Sequence, residues 1–209
     1  MSTESIASKR EQGKSERKER LYESALTLFR VQGYEATTVD QITRQAGLAK
    51  GTFFNYFPTK DAVLRYMGTR EVGRLGAATL GLTGTNSSVG KLKRLMNALA
   101  ASLERDHELV SLIFRKGVTV ADLMAGDAGG FSLQPTVSLL IRQAQRQREI
   151  NPALDSDTLA AALDALYLQQ LIRWCESDNQ YPLADRFTGI VDLLLTGITV
   201  QSMREEPLG

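Results

Sequence analysis

The sequence predicts an all-α protein of about nine helices. Apolar residues recur at i, i+3 and i+4 through most of the chain, and no alternation of strand length stands out. Glycine, proline and asparagine clusters interrupt this pattern at intervals suited to short helix connections. The chain has 209 residues, enough for a small head of residues 1–66 and a larger body of residues 67–209.

The first helix is expected at about 15–32, with Leu21, Ala25, Leu28 and Phe29 on its inner stripe. Ahead of it the charged stretch Lys9–Arg20, with six basic and three acidic residues, reads as a flexible basic arm or a solvated helix start. A long helix leaves the head at Thr59, carrying Ala62, Val63, Tyr66 and Met67, and its later glycines end it near residue 80. Loop residues fill 81–90. Helical patterns resume at about 88–105, 107–124, 134–148, 156–177 and 183–204, with breaks at 126–130, 151–152 and 179–182.

Residues 33–60 carry the most specific signal. Gly33 ends one helix, because glycine adopts the left-handed conformation of a helix C-cap. Thr38 begins the next, and Gln41 three residues on completes a capping box. Val39, Ile42 and Ala46 share an inward face, Gly47 stops this helix, and Leu48 pins the turn. A further helix covers roughly 50–57 before Pro58 breaks it and Thr59 caps its successor. Phe53 and Phe57, four apart, anchor that helix. Lys50, Gly51, Thr52, Asn55 and Tyr56 are left on other faces. Such a hairpin either places side chains in the DNA major groove or is an ordinary part of a helical domain; spacing leaves both open.

The run TTVDQITRQAGLAKGTFFNYFPTKDAVL closely resembles the DNA-binding signature of the TetR-type (tetracycline-repressor-like) transcriptional regulators. The match lies in the T-x-x-x-I-x-x-x-A-G pattern, the small turn, the G-T-aromatic-aromatic-x-Y-F stretch and the P-x-K that opens the next helix. Carried over position by position, the resemblance implies phosphate contacts from Thr38, Tyr56 and Lys60, and base or groove contacts from Lys50, Gly51, Thr52 and Asn55. Phe54 departs from the tyrosine that many relatives carry. It lacks the hydroxyl for a phosphate bond, though its ring can touch sugar or a thymine methyl.

The resemblance also implies a ligand-responsive repressor that binds palindromic operator double-stranded DNA as a homodimer and is released by an unknown small-molecule effector. Pairing is expected through the last two helices, with Leu163, Leu166, Ile190, Leu194, Leu195 and Ile198 as interface candidates. The effector pocket is expected among the middle helices. Its candidates are Met96, Leu99, Leu103, Phe114, Leu139, Tyr167, Gln170 and Trp174, with Arg115 and Arg173 as polar ends for an acidic ligand. Each is also a plain core or salt-bridging residue by composition.

Composition narrows the alternatives. No apolar run approaches the roughly 20 residues of a membrane span, and the charged N-terminus is no signal peptide, so a soluble cytoplasmic protein without a membrane partner is expected. One cysteine, Cys175, and one histidine, His107, far apart in sequence, support no metal site, cofactor or catalytic pair. An enzyme is therefore not expected. The competing class is a helical interaction or scaffold module without specific DNA binding. Residues 1–66 carry net charge +3 and the rest −2, a modestly basic head on an acidic body.

Overall fold

The computed structural model describes residues 3–83, 87–116, 132–177 and 180–198. Among these the chain forms nine helices and no strand: α1 Thr3–Gln32, α2 Val39–Ala46, α3 Lys50–Phe54, α4 Lys60–Leu80, α5 Ser88–Arg105, α6 His107–Arg115, α7 Gln134–Arg146, α8 Ser156–Glu176 and α9 Leu183–Ile198. They fall into two compact units, Met1–Met67 and Gly68–Gly209. The helix expected over 107–124 instead stops at Arg115, with Lys116 as its C-cap; the expected break at 126–130, the helix end expected at 204 and the side chain of Ile198 lie outside the described residues.

In the head, α1 starts twelve residues earlier than expected, at Thr3 rather than Ser15. Its leading segment is rich in Ala, Lys, Arg, Glu and Gln, which lose little rotamer freedom in a helix. The charged stretch expected as an arm is therefore helical. Leu21, Tyr22, Ala25, Leu26 and Phe29 form the buried stripe, while Leu28 is only half-buried. α3 stops at Phe54, three residues short of Phe57. The residue before a proline is driven out of the α region, so Pro58 unwinds the last turn. The N–H groups of Tyr56 and Phe57 instead converge on the carbonyl of Phe53, at 3.0 and 2.8 Å.

Phe53 and Phe57 are fully enclosed, with ring centroids 5.7 Å apart. The cluster extends from Phe57 to Tyr66 and on to Tyr22, at 5.5 and 5.2 Å. Lys18 lays its ammonium 3.9 Å from the Tyr66 ring centroid, and partial burial lowers its pKa.

In the body, α5, α7, α8 and α9 supply a continuous core that includes Leu95, Met96, Leu99, Val137, Leu140, Leu163, Tyr167, Leu171, Trp174 and Phe187. Helix ends are tied by side chains from elsewhere. Glu104 Oε1 accepts from the N–H of Leu183 at 2.6 Å, capping α9. Gln147 and Glu149, just past α7, accept from the N–H groups of Ser88 and Val89 at 3.1 and 2.9 Å, satisfying the start of α5. The buried carboxylate of Asp164 receives the N–H of Leu133 at 2.7 Å and the hydroxyl of Ser132 at 2.8 Å, which fixes the chain entering α7. Burial raises the Asp164 pKa against the pull of those bonds.

Candidate nucleic-acid interface and effector-binding body

The caps of α2 set the outward-facing surface. Thr38 is its N-cap in extended conformation; its hydroxyl accepts from the N–H of Gln41 at 3.2 Å, and Gln41 Oε1 accepts from the N–H of Thr38 at 2.8 Å. At the other end Gly47 sits at φ 63, and the N–H of Leu48 returns to the carbonyl of Thr43 at 2.9 Å. Arg20 of α1 donates to the carbonyl of Ala46, so α1 itself caps this end. The turn therefore holds α3 in one orientation.

With Phe53 inward, α3 leaves Lys50, Gly51, Phe54 and Asn55 exposed, with Thr52 and Tyr56 half-buried. Lys50 Nζ lies 3.0 Å from Asp40 of α2, an exposed ion pair that restrains the ammonium on this face. A side chain at Gly51 would meet no atom within 4 Å, so this surface lies open to a bulky partner. Phe54 is half-exposed, its ring edge-on to Phe53 at 5.5 Å. The Tyr56 hydroxyl accepts from Arg17 Nε at 3.3 Å.

Lys60 is more committed than the sequence suggests. Its ammonium donates to the carbonyls of Tyr34 and Thr37 at 2.7 and 2.9 Å and lies 4.0 Å from the Tyr34 ring centroid. Next to it Asp61 accepts from the Tyr34 hydroxyl, and burial with that bond raises the tyrosine pKa. Together they clamp the α1–α2 loop, and with it Thr38, to the start of α4. Thr59 caps that start, accepting from the N–H of Ala62 at 3.2 Å. Arg17, Arg20, Asp40 and Asp61 are the residues that sequence reasoning missed. They act across 10 to 39 residues of separation, which no local pattern encodes.

The expected pocket residues scatter. Met96, Leu99, Leu103, Tyr167 and Trp174 are buried in the body core; Phe114 and Gln170 are half-buried; Arg115 and Arg173 are exposed. Tyr167 is fully enclosed, packed edge-on against Phe187 at 5.1 Å, and its hydroxyl has no hydrogen-bond partner among the described residues. Trp174 donates from Nε1 to the carbonyl of Tyr181 at 3.1 Å. Only Leu139 of the expected set lines a groove of about 630 Å³, whose other walls are Thr69, Val72 and Gly73 of α4, Ser132, Gln134, Pro135, Thr136, Ser138 and Arg142 at α7, and Asp157 of α8.

Of the expected interface residues, Leu163 and Ile190 are buried within the protomer, and Leu166, Leu194 and Leu195 are half-buried. Leu163, Leu194 and Leu195 line a small internal void of about 20 Å³ with Leu92, Ile141 and Val191. The outward apolar residue of α9 is Leu193, 68% exposed. The i, i+3, i+4 stripe is turned inward because α9 packs on both α5 and α8, so one helix face meets two neighbours.

Among the described residues no group of acidic, histidine or cysteine side chains is arranged to hold a metal ion. Burial pushes the Cys175 thiol up to about 11, away from nucleophilic character. No described helix is long and apolar enough to cross a membrane.

Residues 21–67 match the family described as bacterial regulatory proteins, tetR family. The HTH-type transcriptional repressor KstR of Rhodococcus jostii is 25% identical over 183 residues, 86% of this chain and 83% of that protein. Thermus thermophilus FadR, a TetR-family transcriptional repressor solved in complex with lauroyl-CoA, is 27% identical with a TM-score of 0.72, covering 92% of this chain and 98% of its own. FadR of Bacillus subtilis, solved with stearoyl-CoA, shares the fold at 18% identity and a TM-score of 0.60, covering 86% of this chain and 98% of its own.

Proposed function

We propose that this chain is a TetR-type regulator, a reading supported by the match of residues 21–67 and the likeness to KstR and FadR: a homodimeric repressor whose heads read a palindromic operator and whose body takes up a fatty acyl-CoA that releases the DNA. The observation that carries the reading is the exposed Lys50–Asn55 face, held in one orientation by the Thr38 capping box, the Gly47 turn and the Phe53–Phe57 anchor. A scaffold module has no need of a restrained polar face over an open glycine.

In this reading Lys50, Gly51, Thr52 and Asn55 meet base edges, Phe54 meets sugar or a thymine methyl, and Thr38, Tyr56 and Lys60 hold phosphates. Arg17 supports Tyr56 through its hydroxyl bond. Two heads are needed because one short helix spans few base pairs; a two-fold pair reads half-sites about 34 Å apart or somewhat more. The acyl-CoA class rests on the lauroyl-CoA complex of Thermus thermophilus FadR. Release follows if the effector favours a different spacing of the heads, a coupling of about 1–3 kcal/mol being typical. The carrier of that change is α4, one unbroken helix from Lys60 to Leu80.

Gel-shift with genomic fragments tests the DNA reading, followed by titration with lauroyl-CoA. A retarded palindromic fragment, freed by the thioester, is expected. Asn55→Ala should then cost about 1–3 kcal/mol at particular bases only. A uniform loss at every sequence would remove Asn55 from base reading.

A further inference from the structure

We propose that the N-terminal turns of α1 form a second DNA-binding element, a basic strip of Arg10, Lys14 and Arg17 that lies along the phosphate backbone beside α3. The proposal rests on the DNA reading argued above and adds a surface which that reading leaves unused.

The first observation is a segregation of charge. Residues 10–20 are helical throughout. At about 100° per residue, Arg10, Lys14, Arg17, Lys18 and Arg20 fall on one half of the helix, and Glu11, Glu16 and Glu19 on the other. Two of the basic residues are used within the head: Lys18 lies over the Tyr66 ring, and Arg20 donates to the carbonyl of Ala46. Arg10, Lys14 and Arg17 are exposed. They stand at i, i+4 and i+7, and Leu21 at i+11 carries their stripe into the core, fully buried. The face that meets protein at Leu21 thus turns cationic where the head runs out. Like charges four apart weaken a helix, and Arg10–Lys14 and Lys14–Lys18 are such pairs. A helix that faces only water typically alternates its signs instead. A polyanion laid along the strip offsets the repulsion.

The second observation is position. Arg17 Nε donates to the Tyr56 hydroxyl at 3.3 Å, so the strip abuts the face on which Lys50, Phe54 and Asn55 are exposed. Arg17 Nη2 stands 3.7 Å from where a Gly13 Cβ would lie, which sets the guanidinium one turn back along α1. Its remaining N–H donors suit phosphate oxygens. From Arg17 to Arg10 the strip covers about 10 Å of helix axis. Duplex DNA carries one charge per about 1.7 Å of its own axis, so a strip of that length meets several phosphates. The helix also holds these cations in register, where a flexible arm would lose entropy on ordering. Residues 10–20 include no large apolar side chain, so an anionic membrane offers the strip nothing to bury.

The test uses the full-length protein, the operator fragment retained in the gel-shift, and a mixed-sequence duplex of equal length. Binding isotherms are measured from about 50 to 200 mM salt. Arg10→Ala combined with Lys14→Ala should weaken binding to both duplexes alike and flatten the log–log salt slope by about two units per head. The deficit of this variant should therefore shrink about tenfold per head across that range. Its melting temperature should match the wild type, since alanine keeps the helix and both side chains are exposed. Arg10→Lys combined with Lys14→Arg keeps the charge and should bind as the wild type does. An unchanged slope in the double alanine variant, beside a wild type that binds, overturns the strip and leaves the α3 reading standing. A loss confined to one duplex, or an equal loss in the charge-conserving variant, overturns the strip as well. A wild type that retains no fragment overturns the DNA reading and the strip together.

Discussion

Lys60 shows how a single residue serves more than one part. Two of its three N–H donors are taken by the carbonyls of Tyr34 and Thr37, so at most one remains for a phosphate. Lys60→Ala should therefore do two things. It should weaken binding to all DNA sequences and flatten the salt slope by about one unit. It should also lower the melting temperature of the free protein, because two carbonyls lose their donor. Salt-dependent binding isotherms beside thermal melts separate the roles. A lowered melting point with an untouched salt slope would leave Lys60 as a clamp alone. The outward position of Lys50, Phe54 and Asn55 was readable in the sequence because it follows from helical register. The clamp was not, because a carbonyl leaves no trace in residue identity.

The sequence placed most helices to within a residue or two. Their caps are local chemistry: Thr38 with Gln41, Ser87 accepting from the N–H of Gly90 at 2.9 Å, and Asp155 accepting from the N–H of Thr158 at 2.7 Å. α4 and α5 are joined by charge as well. Glu71 of α4 receives two bonds from Arg74 at 2.7 and 2.8 Å, and the hydroxyl of Ser102 in α5 at 2.6 Å. Arg74 first, with help from Ser102, pulls the Glu71 pKa from 4.5 down to about 2. A carboxylate with a depressed folded pKa stabilises the fold fully above its unfolded value and loses that contribution as pH falls through the folded one. The wild type should lose stability between about pH 4.5 and 2 relative to Glu71→Gln. Melting temperatures of both proteins across that window check this; parallel curves would remove Glu71 from the acid response.

At the scale of the whole molecule, reading a palindrome requires a dimer, and the outward faces of α8 and α9 are where it is proposed to form. Ala165 on α8 and Gly189 and Leu193 on α9 are exposed, and Leu166 is half-exposed beside them. Small residues let helices approach closely, and a leucine 68% exposed in the single chain gains most from a partner. Leu193→Glu should leave the helices folded, shift the protein to monomer, and weaken operator binding. Sedimentation velocity with circular dichroism reads both. A dimer of undiminished strength would place the interface elsewhere.

The amino-acid sequence by itself determined the all-α class, the boundaries of most helices though not of α1, α3 and α6, the helix-turn-helix and its likeness to one regulator family. Each depends on interactions within a few residues: periodicity, caps, a left-handed glycine, a proline stop. It also showed that α8 and α9 are apolar over more than one face. Only the tertiary structure decided which face each of them turns inward, burying Leu163 and Ile190 and leaving Leu193 out. Only it brought Gly73, Leu139 and Arg142 to one groove and enclosed Met96, Leu99 and Trp174 in the core. Helical register limits which residues share a face. Which face meets a neighbour depends on how several helices bury their apolar surface at once, and that competition is settled by packing across the whole body.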